Sequence, residues 1–232
     1  MLPVLIIWII KRYRKSQRRS KNMPLSFNKI NKRVAKIGGI LLFIISLLFV
    51  LKGHTQTRSL NYQIVRNGDK VGTLHFSETI SSEMDYLKME SDVKTRFIFS
   101  FKAHASEEAV YYHGVLLRSS IFRQLNGNEK VNKQHQADNR QYIIHKGNNS
   151  IITKNYPITY NMLSLYSKEP ESIKSVYSDN FEDFIVIEKE GAHTYRVTLP
   201  DGNYNNYYYK NGILIEVDVH HSLYSASILL MN

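Results

Sequence analysis

The stretch YLKMESDVKTRFIFSFKAH, residues Tyr86 to His104, decides the fold class, because its side chains alternate along the chain. Odd positions read Leu87, Met89, Ser91, Val93, Thr95, Phe97, Phe99, Phe101 and Ala103, while even positions include Lys88, Glu90, Asp92, Lys94, Arg96, Lys102 and His104. A period of two marks β-structure with one buried and one wet face. Nineteen residues at about 3.3 Å each would stretch roughly 60 Å, too long for a domain of this size, so the strand must curve, bulge or turn. A closed or strongly coiled sheet is the natural solution.

Working outward, residues that tolerate positive φ recur between short runs of strand formers. Asn67 and Gly68 join Leu60–Arg66 to Val71–Thr79, Asn126 and Gly127 follow Val115–Gln124, and Gly147 to Asn149 separate Gln141–His145 from Ser150–Thr153. Further on, Gly191, the pair Asp201 and Gly202, and the pair Asn211 and Gly212 punctuate runs ending in Ile213–Val219. Short sequential turns pair neighbours antiparallel, which predicts an all-β meander of about nine to eleven strands closing into a barrel or half-barrel. In the last run Ile213, Ile215, Val217 and Val219 are expected inside, with Leu214 as an exception on the outer face. One short helix is expected near 159–167, where Tyr160, Leu163, Leu165 and Tyr166 cover one side of two turns and Pro170 stops continuation. It is placed to plug or cap an end of the sheet. Lys130 to Arg140 is the most polar strand or loop.

The chain has 232 residues and a formal charge of +11, but twelve of its lysines and arginines lie in residues 1–55, where there is no acid. Residues 56–232 hold 19 basic and 20 acidic side chains. The folded part is therefore near neutral and lacks the clustered cations that nucleic acid requires. The basic segment precedes an apolar run, Ile37 to Leu51, which has the character of a signal peptide or signal anchor and sends the C-terminal part of the chain outward. The expected organisation is a basic leader over 1–22, dispensable if the biological start is Met23, then a signal peptide or anchor helix over 23–55, then an exported β domain over 56–232. If the run is cleaved, the domain is periplasmic. If it is kept, 37–51 tethers the domain to the inner membrane. No cysteine occurs, which excludes disulfides, thiol nucleophiles and thiolate metal sites.

Tyr62, Gly68, Val71 and Gly72, then Gly114 to Ser119, then Leu165, Tyr166, Glu169 and Pro170 form a succession that continues through Val176, Tyr177, Ser178 and Phe181. It ends in Tyr195, Leu199 to Gly202, Tyr207, Tyr209 and Gly212. From Leu60 to Val219 the chain resembles a domain-of-unknown-function family of exported bacterial proteins. That resemblance implies an antiparallel β-barrel or half-barrel in the cell envelope, with no established activity and no catalytic residues.

Chemistry is thinly signalled. Of nine histidines, His75, His104 and His113 are those that neighbouring strands could bring together, but no helical pair stands beside a glutamate. No nucleophile elbow or phosphate-binding glycine loop is present, and no cofactor is implied. Sixteen tyrosines are the strongest functional hint. Strand aromatics pack well across a sheet, and rings at an open barrel end can also grip an apolar or sugar-like ligand. The candidate ligand-binding set is Phe97, Phe99, Phe101, Tyr195, Tyr207 and Tyr209, with a lipid or small apolar molecule as partner. The favoured reading is non-enzymatic ligand binding, which requires a cavity lined by the odd residues of Leu87 to Phe101. The alternatives are an envelope hydrolase with a dispersed site, where a histidine meets a carboxylate, and a structural or partner-binding module with an exposed sheet edge.

Overall fold

The computed structural model describes residues 55–96, 100–153, 156–222 and 224–231. The chain divides into two units, Met1–Lys52 and Gly53–Asn232, and every described residue belongs to the second. The leader, the signal or anchor region apart from Thr55, and Phe97 and Phe99 lie outside the described residues, as does the Phe101 side chain. Among the described residues no helix is long and apolar enough to cross a membrane.

Eight strands come first: β1 Gln56–Arg66, β2 Asp69–Ile80, β3 Met84–Arg96, β4 Ser100–Tyr112, β5 Val115–Leu125, β6 Asn128–Asp138, β7 Gln141–Lys146 and β8 Asn149–Thr153. A single helical turn, α1 Ser164–Ser167, precedes six more: β9 Ser175–Ser178, β10 Asp183–Gly191, β11 Thr194–Thr198, β12 Tyr204–Lys210, β13 Ile213–His221 and β14 Tyr224–Leu230. They form one antiparallel sheet of 14 strands in the order β8 through β1, then β14 through β9. The two meanders are joined by β1 and β14, with Tyr62 opposite Leu230. Strands β8 and β9 end the sheet without pairing to each other, so it is a half-barrel rather than a closed barrel.

The strand count exceeds the expected nine to eleven for identifiable reasons. The alternating stretch Tyr86 to His104 is two strands, β3 and β4, paired from Met84 opposite Tyr112 to Arg96 opposite Ser100. A hairpin preserves face parity when its arms pair in register, so the alternation continues from one arm to the other. The polar segment after Gly127 is a full strand, β6, and its turn into β7 uses Asn139 and Arg140, both at positive φ. Strands β9 and β14 complete the number.

Bulges correct the expected face pattern in β13. Tyr208 pairs with Glu216 but Tyr209 pairs with Leu214, which leaves Ile215 as an extra residue. An extra residue reverses face parity on one side of it. Leu214 therefore points inward and is fully buried beside Val217, whereas Ile213 and Ile215 are half-buried. Close approach fixes another position: a Cβ on Gly72 would sit 2.3 Å from the Asp92 carbonyl oxygen on β3.

The helix expected over 159–167 is only one turn, because the backbone of its first half is spent on the sheet. Leu116 N–H donates to the Ile158 carbonyl, Tyr177 N–H to that of Tyr160, and Met162 N–H to that of Tyr177. The segment does act as a plug. Ile158, Tyr160, Leu163, Leu165 and Tyr166 pack on the concave face against Tyr62, Phe76, Leu116, Tyr177 and Tyr209. A nonregular chain placed there leaves carbonyls without ladder partners, and buried carbonyls need donors. Tyrosines supply donors there and to two strand carbonyls, of β5 and β13, while their rings fill the core. Tyr209 Oη donates to Leu165 O at 2.7 Å, Tyr160 Oη to Lys168 O at 2.6 Å, Tyr142 Oη to Leu116 O at 2.8 Å and Tyr62 Oη to Leu214 O at 3.0 Å.

The β9–β10 end of the sheet tucks against the inner face of β5 to β7. Lys133 and Lys146 each reach Glu182 at 2.7 Å, and Lys133 also donates to the Asn180 carbonyl. Strand β8 is left as the outermost strand, with Ile151 and Ile152 exposed.

Candidate functional site

Two polar features on the concave face are candidates for a site, one sealed and one open. The sealed one centres on Asp179, just after β9, which accepts hydrogen bonds from Ser119 Oγ and from Asn161 Nδ2, the latter at 2.9 Å. Tyr111 Oη donates to Asn161 Oδ1 at 2.9 Å and lies 2.8 Å from Ser164 Oγ, so the plug, β4, β5 and the β9–β10 turn meet in one network. Burial pushes the Asp179 carboxyl up to about 6, against the two hydrogen bonds that favour its charge. Burial also depresses His135, on β6, to about 4. Its Nδ1 is 3.6 Å from Asp179 Oδ1, and among the described residues neither ring nitrogen has a hydrogen-bond partner.

Ser119, His135 and Asp179 are the residue types of a hydrolase site, and the cross-strand register sets Ser119 opposite His135. The connectivity is different. The serine hydroxyl donates to the carboxylate rather than to the imidazole, so the nucleophile-to-base contact that acyl transfer needs is missing. All three side chains are also buried. Two other histidines meet carboxylates: His104 with the exposed Asp92 at 2.9 Å, and the exposed His193 with the buried side chain of Glu169 at 2.9 Å. The histidines weighed together from the sequence sit apart in role: His75 bonds to Asn61, His104 to Asp92, and His113 occupies a turn against the Tyr112 ring.

The open feature is a cavity of about 370 Å³ between the plug and both wings of the half-barrel. Met89 of β3, Met162 and Leu163 of the plug, Phe181, Leu199 and Val219 give it apolar surface. Glu107 of β4 and Arg123 of β5 form a 2.8 Å ion pair on its wall, and Asn203, Asn205 and Tyr224 add polar groups. A larger depression of about 550 Å³ runs along Lys70, Thr73, Asp92, Lys94 and Lys102. It is the shallower of the two, with these five side chains all exposed, so the smaller and more enclosed cavity is the better candidate for a ligand.

Tyr207 lines that cavity, its hydroxyl 3.4 Å from the Asn205 amide and its phenol pushed up to about 12 by burial. Tyr195 and Tyr209 stand behind it, edge to face at 5.7 Å. Their hydroxyls are engaged, Tyr195 donating to Glu169 Oε1 at 2.7 Å and Tyr209 to the plug, and burial raises both phenols. From the alternating stretch, Met89 reaches the cavity while Leu87 is part of the closed core. Sequence reasoning missed Glu107 and Arg123. Glu107 stands beside Glu108 in the chain, and β4 turns Glu107 to the inner face while leaving Glu108 exposed.

The architecture defines a class: an antiparallel, β-barrel-like half-barrel with a plugged concave face and one amphipathic cavity. Within that class the chain belongs to the family described as domain of unknown function (DUF6134), whose model matches residues 62–231. No curated protein matches. Among solved structures the chain is similar to the crystal structure of a beta-barrel-like protein of the domain of unknown function DUF1849 from Brucella abortus. The TM-score is 0.54 at 10% identity, covering 77% of this chain and 96% of that one. A likeness at that identity speaks to the fold alone.

Proposed function

We propose that this protein is a non-enzymatic, exported cell-envelope half-barrel that holds an apolar or amphipathic ligand, such as a lipid, in the cavity beside Tyr207. The observation that carries this reading is the 370 Å³ cavity itself, which pairs apolar surface from Met89, Met162, Phe181 and Val219 with one ion pair on its wall. Its volume falls at the small end of ligand sites, which run from about 300 to 1,000 Å³. Tyr207 contributes one of the rings that line the chamber, with Tyr166, Phe181 and Tyr224, and Tyr195 and Tyr209 lie behind it. The basic segment followed by Ile37 to Leu51 supports export, with the domain either released or tethered.

Photolabelling tests the reading. The full chain is irradiated with a neutral long-chain alkanol carrying a diazirine, and the adducts are mapped by peptide mass spectrometry. Adducts on the peptides holding Met89, Met162 and Tyr207 are expected. Adducts confined to 37–51, or none at all, would overturn it.

A further inference from the structure

We propose that the cavity takes a single-chain amphiphile bearing a carboxylate, with the Arg123 guanidinium receiving the head group and the apolar surface taking the chain; this rests on the ligand-binding reading above. The first support is how little of Arg123 the protein uses. Its neighbours across the ladder are Val131 on β6 and Ala105 on β4, with Ser91 beyond on β3, and none of these side chains is long enough to reach over the guanidinium. Glu107 is set diagonally and takes one bond, from Nη2. The rest of a five-donor fork has no protein acceptor among the described residues, on a side chain 43% exposed.

The second support is charge. Arg123 is the only lysine or arginine among the described residues that line the cavity, and Glu107 already balances it. A monoanion can share the guanidinium with Glu107, whereas a phosphate dianion would bring two charges to a site whose one permanent cation is already matched and whose other basic side chains are the imidazoles of His220 and His221. Asp201, exposed at the rim and accepting the Asn203 N–H within its own turn, is a second carboxylate of the lining and weighs further against a dianion. A planar carboxylate also matches the guanidinium fork, which can donate two parallel bonds to it. The third support is size. At roughly 30 Å³ per small group, the share of one water in the liquid, 370 Å³ holds about a dozen methylenes or methyls.

Laurate and dodecanol differ only at the head, so they separate the head-group question from the chain question. Each is titrated against N-phenyl-1-naphthylamine, a neutral fluorescent probe, on the full chain and on its Arg123→Met and Glu107→Gln variants. Laurate is expected to displace the probe about tenfold more effectively than dodecanol, the size of a partly exposed charge-assisted contact. Arg123→Met should abolish that preference and Glu107→Gln should enlarge it. Equal displacement by the two molecules, or a laurate preference that survives Arg123→Met, would overturn the carboxylate assignment while leaving a ligand cavity standing. Failure of both to displace the probe would end the ligand reading itself.

Discussion

Replacing Asp179 with asparagine should change how stability depends on pH, by an amount set by two buried groups. Asp179 rises from its ordinary value near 4 to about 6 on folding, because the sealed network strips its water. A carboxyl whose pKa is raised contributes stability that is present in full below about 4 and is lost as the pH climbs to about 6. About two pKa units at 1.36 kcal/mol each make that loss about 3 kcal/mol. His135 runs the other way. Its pKa falls to about 4 from an ordinary 6.5 or so, so its contribution is present above about 6.5 and is lost as the pH falls toward 4, again about 3 kcal/mol. Around pH 5 the two slopes nearly cancel in the native sequence, and both groups are neutral there. In Asp179→Asn only the histidine slope survives, about 1.4 kcal/mol per pH unit. The amide remains satisfiable, with its oxygen taking the Asn161 Nδ2 bond and its NH₂ turned to Ser119 Oγ. Urea unfolding followed by far-ultraviolet circular dichroism from pH 4 to pH 8 measures the difference. The variant is expected to gain about 3 kcal/mol on the native protein between pH 4 and pH 7. Two profiles that stay parallel over that range would show that Asp179 is not held in a water-poor site and would refute the reasoning.

Two further substitutions test the frame. Gly72→Ala needs no unusual φ, yet its methyl would meet the Asp92 carbonyl at 2.3 Å, and a backbone neighbour cannot rotate away. A loss of about 1–3 kcal/mol in the urea midpoint is expected, and an unchanged midpoint would show that β2 and β3 are not so close. Tyr111→Phe removes the hydroxyl that joins Asn161 and Ser164, leaving buried plug groups without their partner. A cost of about 1–3 kcal/mol should lower the thermal midpoint by roughly 5 °C, with the fastest new amide exchange in the plug around Asn161.

The class of fold was legible in the chain of residues alone, and particular positions show why. Alternation from Leu87 to Ala103 and the turns at Asn67-Gly68 and Asn211-Gly212 depend on backbone geometry within a few residues. Local sequence carries such information directly. Legibility failed wherever a distant partner settled the matter. The bulge at Ile215 turned Leu214 inward, and nothing in its neighbours along the chain signals that. The tyrosines suggested a ligand by their number, yet Tyr62, Tyr142, Tyr160 and Tyr209 each donate to a carbonyl. Tyr160 and Tyr209 serve carbonyls of the plug and its exit, Tyr62 and Tyr142 carbonyls of β13 and β5, and in each case the acceptor is fixed by the tertiary fold. Glu107 and Arg123 became the cavity's polar wall only once β4 and β5 had fixed their inward faces.

By itself, then, the amino-acid sequence determined an antiparallel β domain of near-neutral charge behind a basic, apolar N-terminal segment, since periodicity, turn chemistry and charge are properties of neighbours in sequence. Only the tertiary structure decided that the sheet stays open, that its β9–β10 end tucks against β6, and that segment 156–168 fills most of the interior and borders the cavity beside Tyr207. The physical reason is distance along the chain. Ser119 and Asp179 are 60 positions apart and Tyr62 and Leu214 are 152 apart, and a period of two says which face a residue takes without saying what waits across it.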